Sequence, residues 1–109
     1  VRDLAGRVAV ITGAAGDIGG ATARLLAACG AAIVAVDRDG AGLARLAGSL
    51  PSAERALTVS ADVRDEAQVA DYVARALDAF GRIDILFNNA ATEGGAEGAW
   101  NLVPDFPLE

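Results

Sequence analysis

Three glycines in a Gly-x-x-Gly-x-x-Gly pattern, Gly13, Gly16 and Gly19, follow a short apolar run and precede a helical pattern. Because glycine has no Cβ, such a segment lets the backbone approach a ligand closely. A helix that begins there offers unpaired N–H groups and a partial positive charge, which together attract phosphate. The segment therefore predicts a pyrophosphate-binding turn that includes Ile18. The alternative is that these glycines only make a tight strand-to-helix turn.

Asp17 lies inside this glycine pattern, where an acidic side chain next to a pyrophosphate is unfavourable. We therefore expect Asp17 either to face solvent or to cap the helix, as Asp does near helix N-termini. In either case it belongs to the predicted site by its position in the turn.

A second candidate site residue is Asp37, which ends the next apolar run some twenty-odd residues after the turn. A carboxylate at that point can accept hydrogen bonds from both ribose hydroxyls of an adenosine and would repel a 2′-phosphate. The sequence therefore favours NAD over NADP. Arg38 argues the other way, since a guanidinium can hold that phosphate. Alternatively, Asp37 is only a solvated carboxylate at a strand end.

The elements that must position these residues alternate between strand and helix. Continuous apolar runs predict buried parallel strands at 8–12, 31–36, 55–61 and 83–87. Helices are predicted over 18–29, 40–50 and from Asp65 to Gly81. Right-handed crossovers then give an α/β, doubly wound Rossmann sheet in the strand order 3-2-1-4, as one domain over 1–109. After residue 92 the glycines and prolines mark a loop.

Each predicted helix shows a pattern of apolar positions. The first places Ala21, Leu25 and Ala28 on one face, and the second spaces Leu43, Leu46 and Leu50 at helical intervals. The third begins with Asp65 as its N-cap and with Gln68 in the capping-box position. Its predicted apolar side carries Val69, Tyr72, Val73, Ala76, Leu77 and Phe80.

Composition excludes several classes of function. The net charge is -6 and all nine basic residues are Arg, so the chain has no basic patch suited to nucleic acid. The lack of His and Lys removes an imidazole base and an ammonium group. We expect no metal site, no membrane span and no signal segment. The single Cys29 cannot form an internal disulfide and fits a cytoplasmic protein, and the Lys-free, Ala- and Arg-rich composition is typical of a GC-rich bacterial genome.

Together these motifs resemble the short-chain dehydrogenase/reductase family over about residues 4–91. The resemblance is carried by Thr12-Gly13 to Gly19, Asp37, Asp62-Val63 and Asn88-Asn89-Ala90. It implies that Asp62 accepts a hydrogen bond from the adenine amine and that Val63 packs near the adenine ring. It also implies that Asn88, Asn89 and Ala90 support the sheet and pass the nicotinamide-side ribose. Asp17 departs from the family pattern, which has a glycine there, and Ala91 likewise stands where the family usually has glycine.

The catalytic residues of that family have no counterpart in this sequence. They are a Tyr, a Lys four residues later and a Ser, whereas the only tyrosine here is Tyr72, with Ala76 four residues on. The chain therefore resembles the N-terminal, cofactor-binding half of an oxidoreductase that transfers hydride between NAD(H) and a small alcohol or ketone. We expect this half to be inactive alone, and the resemblance implies a homo-oligomer, dimer or tetramer, for the whole protein. Two alternatives are a non-catalytic NAD-binding or sensing module and a structural α/β domain that binds nothing.

Overall fold

Four parallel strands in the order β3-β2-β1-β4 form the centre of the computed structural model, which describes residues 3–89. The elements in chain order are β1 (Val8–Thr12), α1 (Asp17–Ala28), β2 (Ala32–Asp37), α2 (Gly40–Ser49), β3 (Ala56–Ser60), α3 (Glu66–Phe80) and β4 (Ile85–Asn88), with a 3₁₀ turn at Ala53–Arg55. This confirms the predicted fold class and strand order. The predictions for Ala90 and Ala91 lie outside the described residues.

The two faces of the sheet bury two separate apolar clusters, because successive side chains of a strand point to opposite faces. On one face Val10 and Val34 pack with Tyr72 and Ala76 of α3. On the other face Ile11 and Ile33 pack with residues of α1 and α2, among them Ala23, Leu43 and Leu46. All five residues of β1 are buried, as the continuous apolar run predicts for a central parallel strand.

The apolar face predicted for α1 faces solvent within the described residues. Ala21, Leu25 and Ala28 are not buried, and Leu25 retains 64% of its accessible surface. The residues that α1 buries are instead Gly19, Gly20 and Ala23. Leu26 and Ala27 are partly buried and pack against the same apolar cluster.

Two further details differ from the sequence patterns. Leu77 of α3 is 42% exposed, whereas Tyr72 and Ala76 form the buried centre of that helix. The strand predicted at 83–87 runs from Ile85 to Asn88 instead, and just before it the carboxylate of Asp84 accepts a hydrogen bond from the backbone N–H of Val8 at 2.9 Å. Asp84 N–H in turn donates to the carbonyl oxygen of Val8 at 2.9 Å, so the backbone and the side chain of Asp84 together attach the start of β4 to β1.

Candidate functional site

The predicted site residues in the described range lie along the carboxyl edge of the sheet, the side at which all four strands have their C-terminal ends. Thr12 pairs with Val36 on one side and with Asn88 on the other. Asp37 pairs with Ser60, so the end of β3 reaches the same edge. Chain order reverses on either side of β1, and in parallel α/β sheets ligands bind in the crevice at such a point.

The turn from Gly13 to Gly16 is folded tightly against the start of α1. Gly13 has a φ of 68°, a backbone conformation that favours glycine. A Cβ added at Gly19 would overlap the carbonyl oxygen of Gly13 and lie 2.8 Å from its carbon. Gly19 therefore has to be glycine if the helix is to approach the turn this closely.

The N-terminus of α1 differs from those of α2 and α3. Asp39 caps α2 by accepting a hydrogen bond from Gly42 N–H, and Asp65 caps α3 by accepting from Ala67 and Gln68 N–H. At α1 the N-cap is Gly16, and no described side chain caps the helix. The first N–H groups of α1 are therefore left to an external acceptor, which phosphate oxygens can supply.

Asp17 is exposed in the first turn of α1 and makes no capping hydrogen bond to the helix. Of the two predicted outcomes for Asp17, exposure to solvent is therefore the one observed. Asp17 lines an open cavity of about 210 Å³ between α1 and α2, which Arg24 and Arg45 line as well. Two arginines and Asp17 thus line the same cavity.

The carboxylate of Asp37 is half-buried and makes two hydrogen bonds to backbone N–H groups. Oδ2 accepts from Ala15 N–H at 2.9 Å, and Oδ1 accepts from Asp39 N–H at 3.0 Å. Asp37 is therefore more than a solvated strand end, since it contacts the glycine turn directly. Arg38 beside it is exposed, as a residue able to meet a polar ligand group would be.

Asp62 follows β3 and is held in place from two directions. Arg64 donates to both of its carboxylate oxygens through Nε at 3.1 Å and Nη2 at 3.0 Å. These bonds, followed by one from Arg64 N–H, lower the pKa of Asp62 from 3.8 to about 2. Gln68 in turn accepts a hydrogen bond from the backbone N–H of Asp62 at 2.7 Å. Asp62 is therefore an anion of fixed position, able to act as an acceptor at this edge.

The capping box predicted for α3 forms only in part. Gln68 donates from Nε2 to the side chain of Asp65 at 3.0 Å, whereas Asp65 N–H bonds the carbonyl of Asp62. The oxygen of Gln68 is committed to Asp62 and so does not return to the N-cap backbone. Val63, next to Asp62, is 6% exposed and belongs to the core, so its contact with an adenine ring stays a prediction.

Thr12 links the ends of β1 and β4. Its hydroxyl donates to Oδ1 of Asn88 at 2.9 Å and accepts from Asn89 N–H at 3.0 Å. Thr12 is 1% exposed, so these bonds are shielded from water. The supporting role that the resemblance implies for Asn88 and Asn89 matches this contact, while their contact with a ribose stays a prediction.

No described side chain supplies the catalytic Tyr and Lys pair. Tyr72 is 5% exposed in the core of α3, and burial raises the pKa of its phenol, which opposes formation of a phenolate base. Within residues 3–89, His, Cys, Asp and Glu side chains form no group that could hold a metal ion. Over the same range no helix has the length and apolar character needed to cross a membrane.

The residues that position the site were the ones sequence reasoning missed: Ala15, Asp39, Gly42, Arg64 and Gln68. The sequence pattern predicts Gln68 only as a capping residue, and the one signal for Arg64 is its position two residues after Asp62. Ala15 and Asp39 contact Asp37 through their backbone N–H groups, and Gly42 packs against the turn because it has no Cβ. The type of a residue does not reveal contacts of these kinds.

Comparison with known proteins agrees with this geometry. A profile of the short chain dehydrogenase family matches residues 7–101. The levodione reductase of Leifsonia aquatica is 49% identical over 92 residues, which are 81% of this chain and 34% of that protein. The chain therefore spans about a third of the length of this relative.

Two similar solved structures carry different cofactors. The 3-ketoacyl-(acyl-carrier-protein) reductase from Brucella melitensis, complexed with NADH, is 46% identical with a TM-score of 0.72, over 77% of this chain and 34% of that one. The C-domain of a bacterial malonyl-CoA reductase with NADP is 36% identical with a TM-score of 0.74, over 82% and 15%. The strand order, the glycine turn and these matches agree, and the chain belongs to the short-chain dehydrogenase family.

Proposed function

We propose that this chain is the cofactor-binding half of an NAD-dependent oxidoreductase that transfers hydride between NAD(H) and a small alcohol or ketone. The observation that carries the proposal is the N-terminus of α1, which no described side chain caps and which lies beside a turn that requires glycine at Gly13 and Gly19. Such a helix end binds a pyrophosphate through N–H groups and the helix dipole.

The residues at the carboxyl edge fit a dinucleotide. Gly13, Gly16, Ile18 and Gly19 would hold the pyrophosphate, and Asp17 would face away from it. Asn88 and Asn89, with Ala90, would lie beside the nicotinamide-side ribose. The nicotinamide, when bound, supplies the carbon that accepts or donates a hydride. This chain's own residues bind and orient the cofactor.

Asp37 supports NAD as the preferred cofactor. Its carboxylate accepts two backbone hydrogen bonds and lies at the end of β2, where an adenosine ribose would meet it. A 2′-phosphate would be repelled by this negative charge. Arg38, the neighbour of Asp37, would favour a phosphate instead. The positive charge of Arg38 also helps to lower the pKa of the Asp62 carboxyl.

The adenine would lie between the ends of β2 and β3. Asp62 would accept a hydrogen bond from the exocyclic amine of the adenine, and the two hydrogen bonds from Arg64 hold its carboxylate in one orientation. Proton donation to the substrate requires a catalytic Tyr and Lys pair. This chain has no Lys, and its tyrosine is buried in the core of α3, so it does not supply that pair. Action on a small alcohol or ketone, assembly as a dimer or tetramer and a cytoplasmic location stay predictions.

Direct binding tests the proposal. NADH and NADPH are titrated into the protein expressed in full, with nicotinamide fluorescence as the readout. We expect saturable binding of NADH that is at least about tenfold tighter than binding of NADPH, because each 1.4 kcal/mol of repulsion gives a factor of ten. A panel of secondary alcohols and ketones then tests for hydride transfer.

A matched control separates the local effect of the Asp37 carboxylate from the effect of changing the net charge of the protein. Asp37→Ser removes the carboxylate and should narrow the preference for NADH, whereas Asp78→Ser removes the same charge from the exposed far end of α3 and should not. Absence of saturable NADH binding, or tighter binding of NADPH, would contradict the proposal. Tight NADH binding with no turnover on any substrate would favour the NAD-sensing alternative.

A further inference from the structure

Asp37 connects three elements through a single carboxylate. The residue ends β2, its Oδ2 accepts from Ala15 N–H in the glycine turn, and its Oδ1 accepts from Asp39 N–H. Asp39 is the N-cap of α2 and accepts from Gly42 N–H at 3.0 Å. The position of the turn is thereby tied to the end of β2 and to the start of α2.

Ala15 has a second contact that fixes it from the other side. A Cβ added at Gly42 would lie 2.7 Å from the Cβ of Ala15 and 2.7 Å from Oδ2 of Asp39. Neither neighbour can retreat easily, because Ala15 has no flexible side chain and Asp39 is engaged in capping. The first turn of α2 therefore packs directly against the glycine turn, and Gly42 permits that approach.

The turn also has a backbone tie beneath Ala15. Ala14 N–H donates to the carbonyl of Val36 at 3.1 Å, and Ala14 is fully buried. With the bond from Ala15 to Asp37, two successive N–H groups of the turn are thus held by two successive residues of β2. Hydrogen bonds to a charged acceptor are the stronger kind, so the Asp37 bond is the larger of the two contributions.

We propose that Asp37 is a positioning residue for the phosphate-binding turn in addition to its role toward the ribose, with Gly42 as the second contact that sets the turn. The inference rests on the proposed function, because the turn is taken to bind a pyrophosphate. It follows that replacing Asp37 lowers affinity for the diphosphate itself, including in ligands that lack any hydroxyl for the carboxylate to bind. It also follows that removing Asp37 to admit NADP loosens the turn that both cofactors use.

The test uses two ligands that differ only in the ribose hydroxyls, ADP and 2′,3′-dideoxy-ADP, with calorimetry on the protein expressed in full. Asp37→Ala should weaken dideoxy-ADP binding by about tenfold, as expected for loss of one charge-assisted hydrogen bond. Asp37→Asn keeps one oxygen that can accept from Ala15 N–H, so it should restore most of the dideoxy-ADP affinity while still weakening ADP. This rescue separates positioning from general destabilisation.

Gly42→Ala provides an independent arm, because it displaces Ala15 while leaving the carboxylate in place. It should weaken ADP and dideoxy-ADP by the same factor. Gly48→Ala is the matched control in the same helix, since a Cβ there meets nothing within 4 Å, and it should leave both affinities unchanged. Thermal melting of each variant without ligand sets a titration temperature at which all of them are folded.

The outcomes distinguish the inference from the proposed function. If Asp37→Ala weakens only ADP, and dideoxy-ADP binds as in the unaltered protein, Asp37 serves the ribose alone and the positioning role is wrong. The same conclusion follows if Gly42→Ala leaves both ligands unaffected. If the unaltered protein binds neither ADP nor dideoxy-ADP, the proposed function itself fails, and the inference fails with it.

Discussion

At the scale of single residues, the three glycines of the turn meet different requirements. Gly13 needs its positive φ, and Gly19 needs the space that a Cβ would take from the Gly13 carbonyl. At Gly16 the nearest atom to an added Cβ is the Gly13 oxygen at 3.5 Å, an ordinary contact, and φ is -82°. The Gly-x-x-Gly-x-x-Gly pattern is therefore sterically strict at its ends and tolerant at its centre.

A pair of substitutions checks this distinction. Gly19→Ala should lower the free energy of unfolding by about 2 kcal/mol or more, because backbone atoms cannot yield to the new methyl group. It should also abolish NADH binding. Gly16→Ala should cost less than about 1 kcal/mol, the scale of a weaker N-cap residue. Urea unfolding and NADH titration measure both effects, and equal losses in the two variants would contradict the steric argument.

At the scale of elements, the N-termini of α2 and α3 are each capped by an Asp side chain, whereas no described side chain caps the N-terminus of α1. Asp65 accepts from the N–H groups of Ala67 and Gln68 at the start of α3, and Gly81 ends the helix with a φ of 81°. These interactions are local, so the sequence predicts both ends of α3. At α1 the N-cap is Gly16 and no described side chain caps the helix, and this is the helix end at which we propose that phosphate binds.

Removing the cap of α3 gives a stability prediction. Asp65→Ala should reduce the free energy of unfolding by about 1 kcal/mol, since orphan N–H groups of the first turn lose their acceptor. Asp78→Ala is the control, because it removes an exposed carboxylate from the last turn of the same helix, where negative charge is unfavourable. Denaturant unfolding measures both variants, and a larger loss in Asp78→Ala would overturn the capping argument.

The attachment of β4 to β1 gives a pH prediction. Hydrogen bonds from Arg82 and then from Val8 N–H lower the pKa of Asp84 from 3.8 to about 2. Because the folded state holds the proton less tightly than the unfolded state, this carboxylate stabilises the fold above pH 3.8, and the effect disappears as the pH falls through about 2. The melting temperature of Asp84→Asn should therefore lie below that of the unaltered protein near neutral pH and approach it in acid.

A second variant tests the cause of that effect. Arg82 donates to both oxygens of Asp84, so in an Arg82→Ala background the loss of melting temperature caused by Asp84→Asn should change less with pH. A pH-independent difference in melting temperature between Asp84→Asn and the unaltered protein would show that the charge of the Asp84 carboxylate does not stabilise the attachment of β4 to β1.

At the scale of the whole molecule, β4 is less well covered than the other strands. Among the described residues it pairs with β1 alone, and Ile85, Leu86 and Phe87 are only half-buried, whereas β1 is buried throughout. An apolar strand at a sheet edge tends to pair with another strand. The chain spans about a third of the length of the levodione reductase to which it is similar.

This leads to a prediction about activity. The 109 residues by themselves should reduce no NAD in the presence of alcohols, because they contain no Lys and their tyrosine is buried on α3. The protein expressed in full should show turnover under the same conditions. Absorbance of NADH follows both reactions, and reproducible NAD reduction by the 109 residues would contradict the division of roles proposed for this chain.

The sequence by itself determined the order of strands and helices, the glycine turn and the place of Asp37, because apolar periodicity, glycine spacing and Asp caps act over a few residues. Only the tertiary structure decided that Asp37 bonds Ala15, that Arg64 and Gln68 fix Asp62, and that α1 buries Gly19, Gly20 and Ala23. The bond between Ala15 and Asp37 joins residues 22 positions apart, whereas the bonds of Asp62 join near neighbours that meet in the turn after β3. Which residues come into contact depends on how closely the helices pack against the sheet and the turn. That distance is set by the tertiary structure and is not evident from the types of the residues.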